Sequence, residues 1–263
     1  MDGGRLEVDT ASKTQNETDT MRIAKFLANA GVASRRKCEE FISQRRVLVN
    51  GLVIDTPAFL VTPHKDIVTC DGQTILLPTT YVTYALNKPV GYTCTVSDPH
   101  AEHTIYELLP DEMQSLHYVG RLDRDTEGLL LLTNDGALEQ AITHPSYEIE
   151  KKYIALCKGT FDRTMERQML EGINDDGDYL RAKRVRARAA QKPGCILIEM
   201  VLTEGHKREV RRICTAFGLR VLALRRTSVG NIQLGDLPLG ECRPLSDAEQ
   251  ATLKKLIYGE NYA

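Results

Sequence analysis

The sequence predicts an α+β protein in two parts, a small basic N-terminal domain followed by a larger sheet-containing domain. Three observations carry this reading. Two helical patterns and two hairpin signals crowd into the first eighty residues. From Tyr81 onward, strand and helix patterns follow one another without the regular alternation of a doubly wound parallel sheet. The chain has 263 residues, 42% of them hydrophobic, enough to bury one good core and a small satellite. The expected divisions are a disordered tail over 1–20, the small domain over 21–77, a linker over 78–80 and the larger domain over 81–263.

From Met21, the residues Ile23, Phe26, Leu27 and Ala30 fall on one face of a helix that Gly31 can terminate. Ser34 caps a second helix with Cys38, Phe41 and Ile42 on its apolar face. Arg22, Lys25, Arg35, Arg36 and Lys37 stay off those faces. Val47–Val49 and Leu52–Ile54 flank Asn50-Gly51, the strongest local hairpin signal, and Asp71-Gly72 is bracketed in the same way. In the larger domain, Tyr81–Leu86 reads as a strand running into Asn-Lys-Pro. Leu129–Leu132 is a continuous apolar run closed by an Asn134-Asp135-Gly136 turn. Tyr153–Cys157 and Cys195–Leu202 read as strands, and Lys207–Phe217 as a helix entered from Gly205 and ended at Gly218.

Composition narrows the function classes. No apolar run approaches the roughly 18 residues of a membrane span, and the polar, acidic N-terminus lacks the pattern of a secretory signal. Seven cysteines are scattered singly, which points to reduced thiols in a cytoplasmic protein rather than to a disulfide framework or zinc site. His100 and His103 form the only close histidine pair and lack further ligands, so no metal is expected. The net charge is −2, yet the charges are segregated. Met21–Asn50 holds seven Lys/Arg against two acids, Gly205–Arg226 seven against one, and Arg181–Lys192 six against none. Three such blocks, the second including Lys207 and Arg208, suit a nucleic-acid footprint despite the near-neutral total. Solvated helix faces would explain any one block alone.

The segment richest in chemistry is Gly120-Arg-Leu-Asp-Arg-Asp-Thr-Glu-Gly128. A calcium loop would use Asp123, Asp125, Glu127 and Gly128 at its first, third, fifth and sixth positions, but its twelfth is Asn134 rather than Glu. Plain turn formation suits Asp125 and Thr126. It suits Asp123 less, since that residue follows an apolar one between two arginines.

The segment closely resembles the core motif of bacterial rRNA pseudouridine synthases that carry an alpha-L RNA-binding domain. The resemblance extends to L-N-K-P-V-G at Leu86–Gly91, H-P-S-Y-E-I-E-K-K-Y at His144–Tyr153, E-G-H-K-R-E-V-R-R-I-C at Glu204–Cys214 and G-E-C-R-P-L at Gly240–Leu245. The N-terminal R-I-A-K-F-L-A-N-A-G-V-A-S-R-R and V-L-V-N-G resemble the alpha-L module itself. This implies a mixed, mostly antiparallel catalytic sheet and an isomerase that turns one rRNA uridine into pseudouridine without a cofactor. By the same resemblance, Asp123 is the catalytic aspartate, Tyr153 packs on the uracil and removes a proton, and Arg211 pairs with the aspartate. Arg121 would fill the gap left by the flipped base.

Bottom-up chemistry agrees with these roles. A nucleophilic carboxylate must stay ionised while partly desolvated, which a guanidinium favours, and a stacked base must be extruded and gripped. Arg22, Lys25, Arg35, Arg36, Lys37, Lys207 and Arg208 are the further RNA-binding candidates, and Lys88 is structural or RNA-binding. Arg208-Glu209, where small-subunit enzymes tend to have His-Gln, leans toward the large-subunit branch. The expected partner is ribosomal RNA or a precursor ribosomal particle, met by a monomer away from membranes. The rivals are an rRNA methyltransferase, for which no glycine-rich donor loop stands out, and a non-catalytic ribosome-assembly factor.

Overall fold

The computed structural model describes residues 20–95 and 101–259. The tail expected over 1–20 and His100 of the histidine pair lie outside the described residues, Thr20 excepted. The chain divides into two compact units, Met1–Thr79 and Thr80–Ala263.

In the first unit, β1 (Met21–Arg22) leads into α1 (Ile23–Asn29), and α2 spans Arg35–Ser43. The first helix therefore starts two residues later than its apolar spacing suggests. Arg22 is extended and pairs with Leu60 of β4 (Leu60–Val61), so the backbone of Met21 and Arg22 is spent on a strand. Gly31, at φ +77°, turns the chain in the left-handed region after α1. Ser34 caps α2 by accepting from the Lys37 N–H. Strands β2 (Val47–Val49) and β3 (Leu52–Ile54) join through Asn50 and Gly51, both at positive φ, as a two-residue hairpin turn requires. Strands β5 (Val68–Cys70) and β6 (Gln73–Ile75) repeat this device at Asp71-Gly72, and the four strands form a sheet ordered β3-β2-β5-β6. Ile23, Phe26, Leu27, Cys38, Ile42 and Val47 are in its buried core.

The second unit is built on a nine-stranded sheet. Its strands are β7 (Thr83–Lys88), β8 (His117–Val119), β9 (Glu127–Thr133), β10 (Lys151–Lys158), β13 (Arg184–Ala189), β14 (Cys195–Leu202), β15 (Arg220–Val229), β16 (Ile232–Gln233) and β17 (Cys242–Pro244). The order is β13-β14-β10-β15-β9-β7-β17, with β16 on β15 and β8 on β9. Every pair is antiparallel except β15 with β9, so the mixed, mostly antiparallel α+β sheet implied by the resemblance is what forms. A hairpin of β11 (Ile173–Asp175) and β12 (Asp178–Leu180) stands apart. The helices are α3 (Gly136–Thr143), α4 (Arg163–Glu171), α5 (Glu209–Ala216) and α6 (Asp247–Tyr258). Among the described residues no helix is long and apolar enough to cross a membrane.

The run Leu129–Leu132 is buried on both sides, as a central strand with two covered faces must be. Leu129 and Leu131 belong to a core with α3 and α6, while Leu130 and Leu132 pack with Leu122, Cys94, Ile105 and Tyr106. A third core lies between β10, β14 and the helices α4 and α5. The first strand runs two residues later than the apolar run Tyr81–Leu86 suggests, and the Asn-Asp-Gly turn becomes a helix start, with Asp135 accepting from the N–H groups of Ala137 and Leu138. The parallel contact of β9 and β15 is close. Gly128 sits at φ +107°, and a Cβ there would stand 2.2 Å from the Arg226 carbonyl oxygen, so only glycine fits. Beside it, Arg226 donates from Nε to the Leu129 carbonyl, 97 residues away in the chain.

Candidate active site

Asp123 lies in the turn between β8 and β9, and this turn is braced from within and from beneath. The Thr126 N–H closes it on the Asp123 carbonyl at 3.0 Å. The ammonium of Lys88, at the end of β7, is wholly buried and donates to the carbonyls of Thr126 and Pro89, each at 2.9 Å. The Gly91 N–H donates to Arg124 O at 2.8 Å, and the Cys94 thiol meets the Leu122 backbone. Burial pushes the Lys88 ammonium below its usual range, while Cys94, Asp123, Asp125 and Glu127 pull the other way. With no exposed surface, Lys88 cannot reach RNA. Of its two sequence readings, the structural one is correct.

Helix α5 closes the site from the side. Arg208 grips Asp125 with two hydrogen bonds, 3.1 and 2.9 Å, and its Nη1 stands 4.0 Å from Asp123 Oδ2. Arg211 donates to the Asp125 carbonyl at 2.7 Å and lies 3.3 Å from its carboxylate. The sequence reading paired Arg211 with Asp123. In this structure its partner is Asp125, and the guanidinium nearest Asp123 is that of Arg208. Burial pushes the Asp125 carboxyl up, but the Arg208 hydrogen bonds and the charges of Arg211 and Arg208 outweigh it and hold the group below its ordinary value. Read from sequence as a turn former, Asp125 is the acid that ties α5 to the turn. The calcium-loop alternative is left without its ligands here, since Asp125 is taken by two arginines and Glu127 by Arg225 at 3.1 Å.

The helix starts at Glu209, not Lys207. Arg208 is left-handed at φ +54°, and the exposed Lys207 precedes it. This departure aims the Arg208 side chain at Asp125. Glu209 is buried and accepts from the His206 N–H at 3.1 Å, which braces the loop leading into the helix. Burial raises its carboxyl to about 7. Arg212, on another side of α5, is held by Asp175 and Asp178 of the β11–β12 hairpin, and His206 bridges Asp178 and Glu204. The pairings of Arg212 with this hairpin and of Arg211 with Asp125 had no sequence signal, because they span 34 to 86 residues.

Tyr153 lies on β10, half-buried, at the border of two apolar clusters, one containing Leu122 and the other α5. Its cross-strand neighbour on β15 is Arg226. Arg211 Nε, Arg226 Nη2 and Thr126 Oγ1 are buried without a hydrogen-bond partner among the described residues. Arg121 is exposed and makes no ion pair among the described residues.

A sequence model of the RNA pseudouridylate synthase family matches residues 82–216, which hold Asp123, Tyr153 and the start of α5. The chain belongs to that family. It is accordingly an isomerase acting on RNA, and the methyltransferase and non-catalytic readings are not favoured. The model of the S4 domain matches residues 21–67, the region that resembles the alpha-L module. An uncharacterized RNA pseudouridine synthase of Aquifex aeolicus is 40% identical over 238 residues, which cover 90% of this chain and 95% of the relative. Ribosomal large subunit pseudouridine synthase B of Bacillus subtilis is 35% identical over 242 residues, 91% of this chain and 98% of that protein. A crystal structure of a pseudouridylate synthase superposes with a TM-score of 0.62 at 28% identity, covering 90% of this chain and all of the other.

Proposed function

We propose that this protein converts a specific uridine of large-subunit ribosomal RNA to pseudouridine, with Asp123 starting the reaction and no cofactor taking part. The observation that carries the mechanism is the location of Asp123. It is a half-buried carboxylate on a turn braced by Lys88, Gly91 and Cys94, with the Arg208 guanidinium 4.0 Å away. The name of the Bacillus subtilis relative supports the large subunit as the source of the RNA.

In this reading the target base leaves its stack and is brought to Asp123 and Tyr153. Asp123 acts as nucleophile or base on the nucleoside, the glycosidic bond breaks, the uracil turns while held, and its carbon 5 rejoins the ribose. Tyr153 offers its ring face to the uracil and its hydroxyl to the proton leaving carbon 5. Arg211 and Arg208, fixed through Asp125, hold the charge balance around the turn. Arg121 fills the gap left by the base. Arg22, Lys25, Arg35, Arg36, Lys37 and Lys207 hold phosphates. The protein works as a monomer in the cytoplasm, on ribosomal RNA or a precursor ribosomal particle.

The test is pseudouridine mapping on a large-subunit rRNA transcript. Asp123→Asn should abolish conversion while RNA affinity changes by less than a few-fold. Appreciable residual conversion would remove Asp123 from the role. Tyr153→Phe keeps the ring face and loses the hydroxyl, so full activity in that variant would exclude the proton transfer.

A further inference from the structure

The sheet of the second unit has a face that the proposed chemistry does not use. Along β10, Tyr153, Ala155 and Cys157 alternate with Lys152, Ile154, Leu156 and Lys158. The first set packs toward α4 and α5. The second set points to the reverse face, where register puts Arg184, Arg186 and Arg188 of β13, Leu197 and Glu199 of β14, and Arg220, Ala223 and Arg225 of β15 in line with it. Ile154, Leu156 and Leu197 are only half-buried and belong to none of the apolar clusters of the described residues.

The charges on this face do not balance. Glu199 is taken by Lys152 at 3.0 Å, Glu127 by Arg225, and Glu150 by Lys183 and Arg184. Arg186, Arg188, Lys158 and Arg220 are exposed and make no ion pair among the described residues. Lys158 and Arg220 are directly opposite each other on neighbouring strands. Like charges in that position destabilise a sheet. Arginines on β13 alone could be explained as edge-strand protection against pairing with other chains. That explanation does not reach Lys158, because β10 is paired along its whole length with β14 on one side and β15 on the other.

We infer that the cations Arg186, Arg188, Lys158 and Arg220 form a second RNA-binding surface on the reverse face of the catalytic sheet, which holds the phosphate backbone of the substrate RNA away from the target nucleotide. The inference rests on the RNA substrate of the proposed function. From β13 to β15 the surface is about 14 Å across, three strand spacings, so it spans several phosphates rather than one. A polyanion supplies the charge that Lys158 and Arg220 lack. A second copy of this chain would bring the same cations against each other. The surface holds no exposed aromatic ring among these residues, so it grips backbone and does not stack bases.

The test uses the full chain and a large-subunit rRNA transcript. Arg186, Arg188, Lys158 and Arg220 are changed together to Gln, and affinity is measured across a salt series. The slope of log affinity against log salt should flatten by about 3, at roughly 0.7–0.9 for each phosphate no longer neutralised. Pseudouridine formed at saturating enzyme should match the parent, and the melting temperature should hold or rise as the Lys158–Arg220 repulsion is removed. An unchanged slope in the folded variant overturns the inference, whatever other partner the face then serves. If the fourfold variant does not fold, Arg186→Gln with Arg188→Gln on the edge strand serves instead, with an expected flattening of about 1.5. No pseudouridine from the parent protein would instead sink the substrate reading, so the two failures are distinguishable.

Discussion

The arginines of α5 and the cations of α1 and α2 are the same kinds of residue under opposite constraints. Arg208 just before α5, and Arg211 and Arg212 on it, are each held by an acid from a distant part of the chain. On α2, Arg35 and Lys37 form ion pairs with Glu39 and Glu40 one turn away, and Arg22 of β1, Lys25 of α1 and Arg36 of α2 have no ion pair among the described residues. A pair made across the fold fixes where a guanidinium stands. A pair made within one helix is exposed and worth little, and leaves the charge facing outward. The difference separates arginines that shape a site from cations that present a field.

The comparison breaks most sharply at Arg211. Arg211→Ala should lower turnover on the order of 100-fold with affinity moved by only a few-fold, since it misplaces the turn carrying Asp123. Single-turnover kinetics beside RNA binding checks this, and a fall in affinity alone would reclassify Arg211 as a phosphate ligand. The reverse pattern is expected of the outward set. Arg22→Gln, Lys25→Gln and Arg36→Gln together should flatten the salt slope of rRNA binding by about 2 and leave turnover at saturation unchanged.

A third measurement probes the brace under Arg208. The Glu209 carboxyl titrates at about 7 in the folded chain, against an ordinary 4.5, chiefly because it is buried. Folding therefore binds this proton more tightly than the unfolded chain does. The stability it confers is complete below about pH 4.5 and is lost as pH rises through about 7. Glu209→Gln keeps the acceptor for the His206 N–H without the charge. Its melting temperature should gain on the parent by a few degrees between pH 5 and pH 8. A constant difference across that range would show that Glu209 is not the titrating group. The smallest effect belongs to Arg36→Gln alone, which should change stability by less than about 0.5 kcal/mol in a denaturant titration.

Much of this molecule was legible where the signal is local. Asn50-Gly51 and Asp71-Gly72 dictate their hairpins through positive φ, and Cys195–Leu202 is a strand over the very residues its pattern marks. The run Leu129–Leu132 announces a strand with both faces covered. The same pattern reading placed Lys207 and Arg208 inside a helix, because nothing in their neighbourhood encodes a left-handed Arg208. That conformation is stabilised by Asp125, 83 residues earlier. Asp125 itself sits where a turn former belongs, so its grip on two arginines was invisible. Asp123, Tyr153 and Arg211 were named by resemblance, and the partner of Arg211 could be seen only once α5 and the turn stood side by side.

The parallel contact of β9 with β15 has a consequence for the order of folding. It joins Glu127 and Gly128 to Arg225 and Arg226, and Arg208 and Arg211, which hold Asp125, lie in the segment just before β15. Contacts this distant in sequence close late, after the loop between them has been ordered. A growing or partly folded chain thus displays Asp123 with its sequence neighbours Arg121 and Arg124 before Arg208 is set beside it. Pulse-labelled hydrogen exchange during refolding should protect the paired amides of β7 and β9 ahead of those of β15. On that schedule, catalytic competence arrives only once β15 has docked on β9, and an unfinished molecule has little means of acting on RNA.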